Sequence, residues 1–89
     1  MADKPNVTTA LRRGREEFAE LTGLQAEAVS SFEENGDDGW KLRIEVCEVA
    51  KIPDTTSLMG SYEVTLGPDG QLRGYHRVQR YERGRADPR

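Results

Sequence analysis

The side chains that could do bond-making chemistry are sparse. His76 and Cys47 are the only histidine and the only cysteine in the 89 residues. One of each gives no zinc-ligand spacing and no internal disulfide, and no Ser or Cys nucleophile is placed by motif beside the histidine. His76 is expected to face inward opposite Tyr62 as a packed, hydrogen-bonded residue. Cys47 is expected mid-strand, with nothing nearby to lower its pKa. Phosphate loops, dinucleotide fingerprints, triad orders and metalloprotease patterns are absent. Glu33, Glu34, Asp37 and Asp38 form an acidic run, but without the EF-hand spacing of oxygen ligands it reads as a solvated turn. The sequence thus predicts no enzyme, no cofactor and no metal.

What remains is recognition chemistry. Glu45, Glu63, Arg73, Tyr75, Arg77 and Tyr81, with Lys41 and Arg43, fall on one face of the strands drawn below, so that acidic middle strands lie beside a last strand bearing Arg and Tyr. Arg and Tyr are residues that protein interfaces enrich. Lys51 and Asp54 lie in an irregular stretch, residues 50–59, longer than a hairpin needs, and such loops often carry function. Arg80 falls with the core side on strict alternation and must be paired, lie beyond the helix edge, or be turned outward by a bulge near Gln79. These nine residues, Glu45, Lys51, Asp54, Glu63, Arg73, Tyr75, Arg77, Arg80 and Tyr81, are the expected partner-binding set. The alternative use of the same face is a solvated lattice of cross-strand ion pairs, each worth from a few tenths to about 1 kcal/mol.

The elements that must position them follow from periodicity. Residues 61–81 read as a β-hairpin closed by Gly67, Pro68, Asp69 and Gly70, with Pro68 presetting φ and Gly70 supplying the left-handed corner. That turn predicts a register in which Leu66 opposes Leu72, Thr65 meets Arg73, Glu63 meets Tyr75, Tyr62 opposes His76, Ser61 meets Arg77 and Gly60 opposes Val78. Residues 40–49 alternate strictly, with Trp40, Leu42, Ile44 and Val46 inward, and form the clearest strand. Residues 24–33 are expected as a strand with Ala26, Ala28, Ser30 and Phe32 on one side, followed by a loop on Asn35, Gly36 and Gly39. Ahead of these, Val7, Leu11, Gly14, Phe18 and Leu21 make a helical stripe, with Asn6, Thr8 or Thr9 as N-cap, Gly23 as C-cap, and Gly14 allowing close approach to the support. The fold predicted is α+β: one N-terminal helix packed on a four-stranded antiparallel meander sheet. Trp40, Leu42, Ile44, Val46, Tyr62, Val64, Leu66, Leu72 and Val78 would meet Leu11, Phe18 and Leu21 in the core. The expected organisation is a disordered lead-in at 1–6, a single domain at 7–82 and a flexible basic tail at 83–89.

Charge and length narrow the partners. Eighty-nine residues allow one modest core. The formal charge of −3 is unevenly spread, since residues 1–70 carry seven basic and fourteen acidic side chains, and residues 71–89 carry six Arg against Glu82 and Asp87. An acidic body repels a polyphosphate, which argues against nucleic acid even though Tyr75 and Tyr81 on an Arg-rich strand resemble base-stacking sheets. The N-terminal residues lack the apolar segment of a signal peptide and no apolar run is long enough to span a bilayer, so a cytoplasmic protein is expected, with no membrane partner and no small-molecule substrate.

Gly39 and Trp40, then Glu45, Val46 and Glu48, then Ile52, Pro53, Asp54 and Thr55, then Tyr62, Glu63 and Val64, then Gly70, and finally Arg77, Val78, Arg80, Tyr81 and Arg83 resemble, in order and spacing, the gas vesicle protein O (GvpO) family. The resemblance runs over about 11–84 and is dense from Gly39 onward. Lys51 stands where the family pattern has Arg, Ser57 where Asp is common, and Gly67 where Asp precedes the turn. The resemblance implies a non-enzymatic cytoplasmic accessory protein for gas vesicle formation, with a place on the vesicle itself also open. It would act through contacts with other gas vesicle proteins, assembly factors and the shell protein among them, and it transfers no catalytic residue. Two alternatives stay open: a cystatin-like or PepSY-like inhibitory module, which shares the architecture but would want an export signal and a recognisable binding loop, and a DNA-binding regulator of vesicle gene expression.

Overall fold

A computed structural model describes residues 6–85. Helix α1 (Val7–Thr22) precedes strands β1 (Ala26–Glu34), β2 (Trp40–Val49), β3 (Leu58–Leu66) and β4 (Leu72–Glu82), with 3-10 turns at Gly36–Asp38, Asp54–Thr56 and Arg83–Arg85. The strands pair antiparallel in the order β1-β2-β3-β4, and α1 lies on one face of that meander, the architecture expected from the sequence. The expected lead-in, apart from Asn6, and the tail beyond Arg85 lie outside the described residues.

The helix begins where Asn6 accepts a hydrogen bond from the Thr9 amide at 2.8 Å and ends where Gly23, at φ 76°, donates to the Ala19 carbonyl. Its buried line is Ala10, Gly14 and Phe18, each four residues from the next. The expected stripe is therefore rotated, and Val7 and Leu21 at its ends are exposed. Gly14 explains the rotation. A Cβ there would stand 3.0 Å from a Leu66 methyl, so the helix makes its closest approach through that residue and its i±4 ridge lies on the sheet. Phe18 then meets Tyr62 and Tyr75 edge-on, with ring centroids at 5.3 and 5.6 Å.

Strand β2 buries Trp40, Leu42, Ile44 and Val46 as alternation requires. The loop before it is held by the Asn35 amide donating to the Gly39 carbonyl at 2.7 Å. Gly39 sits at φ 112° and a Cβ would strike the Leu66 carbonyl, so only glycine lets β2 start against the end of β3. Strand β1 departs from alternation. Register shifts between Ala26 and Ala28 and between Val29 and Ser31 bring Ala26, Val29 and Phe32 toward the core, every third residue, in place of the expected Ala26, Ala28, Ser30 and Phe32.

The hairpin register also needs correction. The turn closes as expected, Gly67 accepting from Gly70 and donating to Gln71, and Leu66 opposes Leu72. Beyond that point β4 carries an extra residue at Arg73 and another at Val78, so Thr65 meets Gly74, Val64 meets Tyr75, Glu63 meets His76, Tyr62 meets Arg77 and Gly60 meets Arg80. Each bulge swaps the faces of the residues after it. Tyr75 accordingly faces the helix, His76 faces away from it, and Val78, expected in the core, is 38% exposed. Both edge strands thus carry two irregularities each, which blunts edges that would otherwise template pairing with another chain.

Candidate protein interaction surface

The two bulges break up the six residues expected on one sheet face, Glu45, Glu63, Arg73, Tyr75, Arg77 and Tyr81, and leave the nine expected partner-binding residues in several places. Glu45, Glu63 and Tyr81 lie on the sheet face away from α1, Lys51 and Asp54 lie in the loop between β2 and β3, and Arg77 and Arg80 lie on the helix side. Arg73 is the bulge residue, and its guanidinium crosses Gly67 so closely that a Cβ there would come within 2.6 Å of it. Tyr75 packs on Phe18 and so does not join the outer face.

On the outer face Arg43 pairs in register with Glu63, and the exposed His76 imidazole approaches the Glu63 carboxylate at 3.7 Å. Glu45 sits deeper. Its carboxylate accepts hydroxyl donors from Ser30 at 2.6 Å, Ser61 at 2.5 Å and Tyr81 at 2.7 Å. Burial opposes ionisation of Glu45, but the three hydroxyls and the nearby Arg43 outweigh it and hold the carboxyl below its ordinary range. The same burial, with the Glu45 and Glu27 charges, pushes the Tyr81 hydroxyl up to about 12. Tyr81 is thereby fixed as a neutral donor inside the protein.

On the helix side, Arg77 and Arg80 each bring Nε to 3.1 Å from one oxygen of Glu48. The Tyr62 hydroxyl donates to Glu48 at 2.6 Å. The Glu48 side chain is only 9% exposed, whereas both arginines are 46% exposed. Burial would raise the Glu48 pKa, and the Tyr62 donor and the two guanidiniums more than reverse that, leaving it below the usual carboxylate value. One carboxylate between two guanidiniums leaves a net positive, half-exposed pair held in fixed orientation. The expected choice for Arg80 resolves as pairing: the bulge falls at Val78, next to Gln79, and keeps Arg77 and Arg80 together on the side of Glu48. Gly60 makes the room, since a Cβ there would strike the Glu48 carboxylate.

The loop between β2 and β3 is irregular but tied down. Its Ile52–Pro53 peptide is cis. The Lys51 amide donates to Ser57 Oγ at 3.0 Å, Ser57 Oγ donates to Asp54 at 3.2 Å, and Thr56 donates to the Pro53 carbonyl at 2.7 Å. From the far side Arg83 closes the loop: its amide donates to the Ser57 carbonyl, its Nε lies 3.0 Å from Asp54, and its two terminal nitrogens fork onto Glu27 at 2.9 and 2.8 Å. The fork with Arg83 lowers the Glu27 pKa and, with the Asp54 charge, raises that of Arg83.

Glu48 and Arg83 entered the sequence reading only among the residues of the family resemblance, and neither was placed in the expected partner-binding set. Glu48 carried a usable signal, because alternation from Val46 puts a carboxylate on the apolar side of the best strand, where it must find cations. Arg83 carried no signal of its contacts apart from its place in that resemblance, since its position depends on the Val78 bulge that redirects the chain end. Among the described residues no group of three His, Cys, Asp or Glu side chains could hold a metal ion, and no helix is long and apolar enough to cross a membrane.

Residues 1–87 match the family model described as "Gas vesicle synthesis protein GvpO". The chain is 55% identical over 83 residues to a gas vesicle protein O of Streptomyces sp. (strain CB03234), covering 93% of this chain and 64% of that protein. It is 37% identical over 83 residues to gas vesicle protein O1 of Halobacterium salinarum, covering 93% and 69%. With gas vesicle protein O of Haloferax mediterranei the identity is 38% over 72 residues, covering 81% and 51%. The chain thus spans between half and about two thirds of the length of these relatives. No solved structure matches it.

Proposed function

This chain belongs to the GvpO family of gas vesicle synthesis proteins, and from that premise we propose that it is a non-enzymatic accessory protein that supports gas vesicle formation by binding other gas vesicle proteins. Assembly factors and the shell protein are the partner classes. The cytoplasm, in association with growing vesicles, is where such contacts would be made. The observation that carries this reading is the end of the sheet where Glu48 holds Arg77 and Arg80 half-exposed beside the tethered 51–59 loop. Charged groups fixed in advance lose little side-chain entropy on binding, and oriented guanidiniums select carboxylate-bearing surfaces. In this reading Arg77, Arg80, Lys51 and Asp54 make the contacts. Glu63 and Arg73 add charge at the margin, while Glu45, Tyr75 and Tyr81 keep the surface in shape.

The experiment is pairwise association between the purified full chain and each of the other purified gas vesicle proteins, repeated with an Arg77→Ala/Arg80→Ala double variant and alongside vesicle formation in cells. The expected result is that at least one association and vesicle yield both fall in a variant that remains folded. Unchanged association and unchanged vesicles in that variant would place the contact elsewhere.

A further inference from the structure

The loop between β2 and β3 presents a feature that its charges do not account for. Ile52 is 98% exposed at the loop tip, and its neighbours Val49, Ala50 and Pro53 are exposed as well. A lone exposed aliphatic residue is ordinary on a mobile loop, but this tip is not free to fold its apolar groups away. The Lys51 amide is bound to Ser57, the chain after Pro53 is wound into the turn Asp54–Thr56, and Arg83 fastens that turn to β1 through Glu27. The backbone on both sides of Ile52 is therefore held while the side chain projects into solvent.

The surrounding charge limits what could receive it. Lys51, next to Ile52, makes no ion pair among the described residues. The nearby acids are committed: Asp54 to Arg83, and Glu48 to two guanidiniums. Within the tip itself, residues 49–53, Lys51 is the one charged side chain, so the charge beside Ile52 is positive, while Asp54 and Glu27 share Arg83 farther out. The cleft of about 460 Å³ between α1 and the start of β1 offers a second copy's Ile52 little apolar wall, because Arg12, Arg15, Glu16, Glu20 and Gln25 line it beside only Ala19 and Ala26. A lipid surface would gain only a short tip, Ile52 with Val49, Ala50 and Pro53, and no amphipathic helix, against a body of net charge −3.

Building on the protein-contact reading above, we propose that Ile52 is the anchor of the contact and inserts into an apolar socket, rimmed by carboxylate, on a partner gas vesicle protein, with Lys51 meeting the rim. A pre-organised aliphatic anchor with a charged neighbour is the arrangement in which one residue can dominate an interface.

The test uses the purified full chain and each purified gas vesicle protein in turn. Whichever protein binds the wild type should bind Ile52→Ala about tenfold more weakly, should bind Ile52→Leu within about threefold of wild type, and should bind Lys51→Glu more weakly than Lys51→Ala. Because Ile52 is exposed, the melting temperature of each variant should match wild type. Unchanged affinity in Ile52→Ala overturns the anchor, and if the Arg77→Ala/Arg80→Ala variant still loses binding, the broader reading survives without it. Failure of wild type to bind any vesicle protein overturns both. Ile52-dependent binding to phosphatidylglycerol–phosphatidylcholine vesicles, or Ile52-dependent self-association in sedimentation, would replace the protein socket with a lipid surface or a second copy.

Discussion

The two ends of the sheet are held by different physics. Near the hairpin turn, Ala10, Gly14 and Phe18 press on Leu66, Val64 and the rings of Tyr62 and Tyr75, so the contact is apolar and close-packed. At the other end, beyond Gly60, the sheet is finished by carboxylates: Glu48 on the helix side, Glu45 on the outer face, and Glu27 with Asp54 gripping Arg83. Apolar packing supplies stability without direction. Charge-assisted hydrogen bonds supply less net stability but fix orientation, which is what a docking surface needs.

The difference can be broken at either end, and the expected effects run from large to small. Phe18→Ala empties the fully buried centre of the packed end and should destabilise the fold by about 3–5 kcal/mol in urea unfolding. For an 89-residue domain that is much of the total. Glu48→Ala leaves Tyr62 without its acceptor and two like charges facing each other. Because both arginines are half-exposed and can rehydrate, the loss should be smaller, about 1–2 kcal/mol by the same measurement.

Acid should act on the charged end through its two held carboxylates, Glu45 and Glu48. Glu45 and Glu48 both have folded pKa values below the ordinary carboxylate value of 4.5, so their contribution is fully present above that value and is lost as pH falls through the folded values. Unfolding free energy measured from pH 7 to pH 3 should therefore drop below about pH 4.5, and Glu45→Gln should flatten part of that drop. A variant titrating as steeply as wild type would mean that Glu45 is not held in its ionised form. Val78→Thr should change stability by less than about 0.5 kcal/mol, because the bulge puts Val78 at the surface. A loss above 1 kcal/mol would restore Val78 to the core and undo the observed register.

How much of this could be seen in the sequence follows the same division. Strand β2 was legible because its apolar period is regular, the extent of the helix from its caps, and the turn at Gly67 to Gly70 from its residue types, whereas the buried line of the helix follows Gly14 and not the apolar stripe. The faces of β1 and β4 were not, because four irregularities sit in those strands and a bulge has no strong local signature when the extra residue is an Arg, Glu, Ser or Val. Once Arg73 and Val78 are counted as extra residues, Tyr75 moves to the helix side, His76 to the outer face, and Arg77 to Glu48. Six of the nine expected residues, Glu45, Lys51, Asp54, Arg77, Arg80 and Tyr81, lie toward the charged end, and Glu63, Arg73 and Tyr75 lie nearer the turn. Their grouping depended on register, which only long-range pairing decides.

The central claim is that partners dock at the charged end. The most direct measurement is an amide chemical-shift titration of the full chain with each purified gas vesicle protein, mapped by residue. Shifts are expected to concentrate in residues 48–57 and 77–83, with the helix Val7–Thr22 and the turn at 67–70 left nearly unchanged. Shifts confined to the helix or to that turn would contradict it.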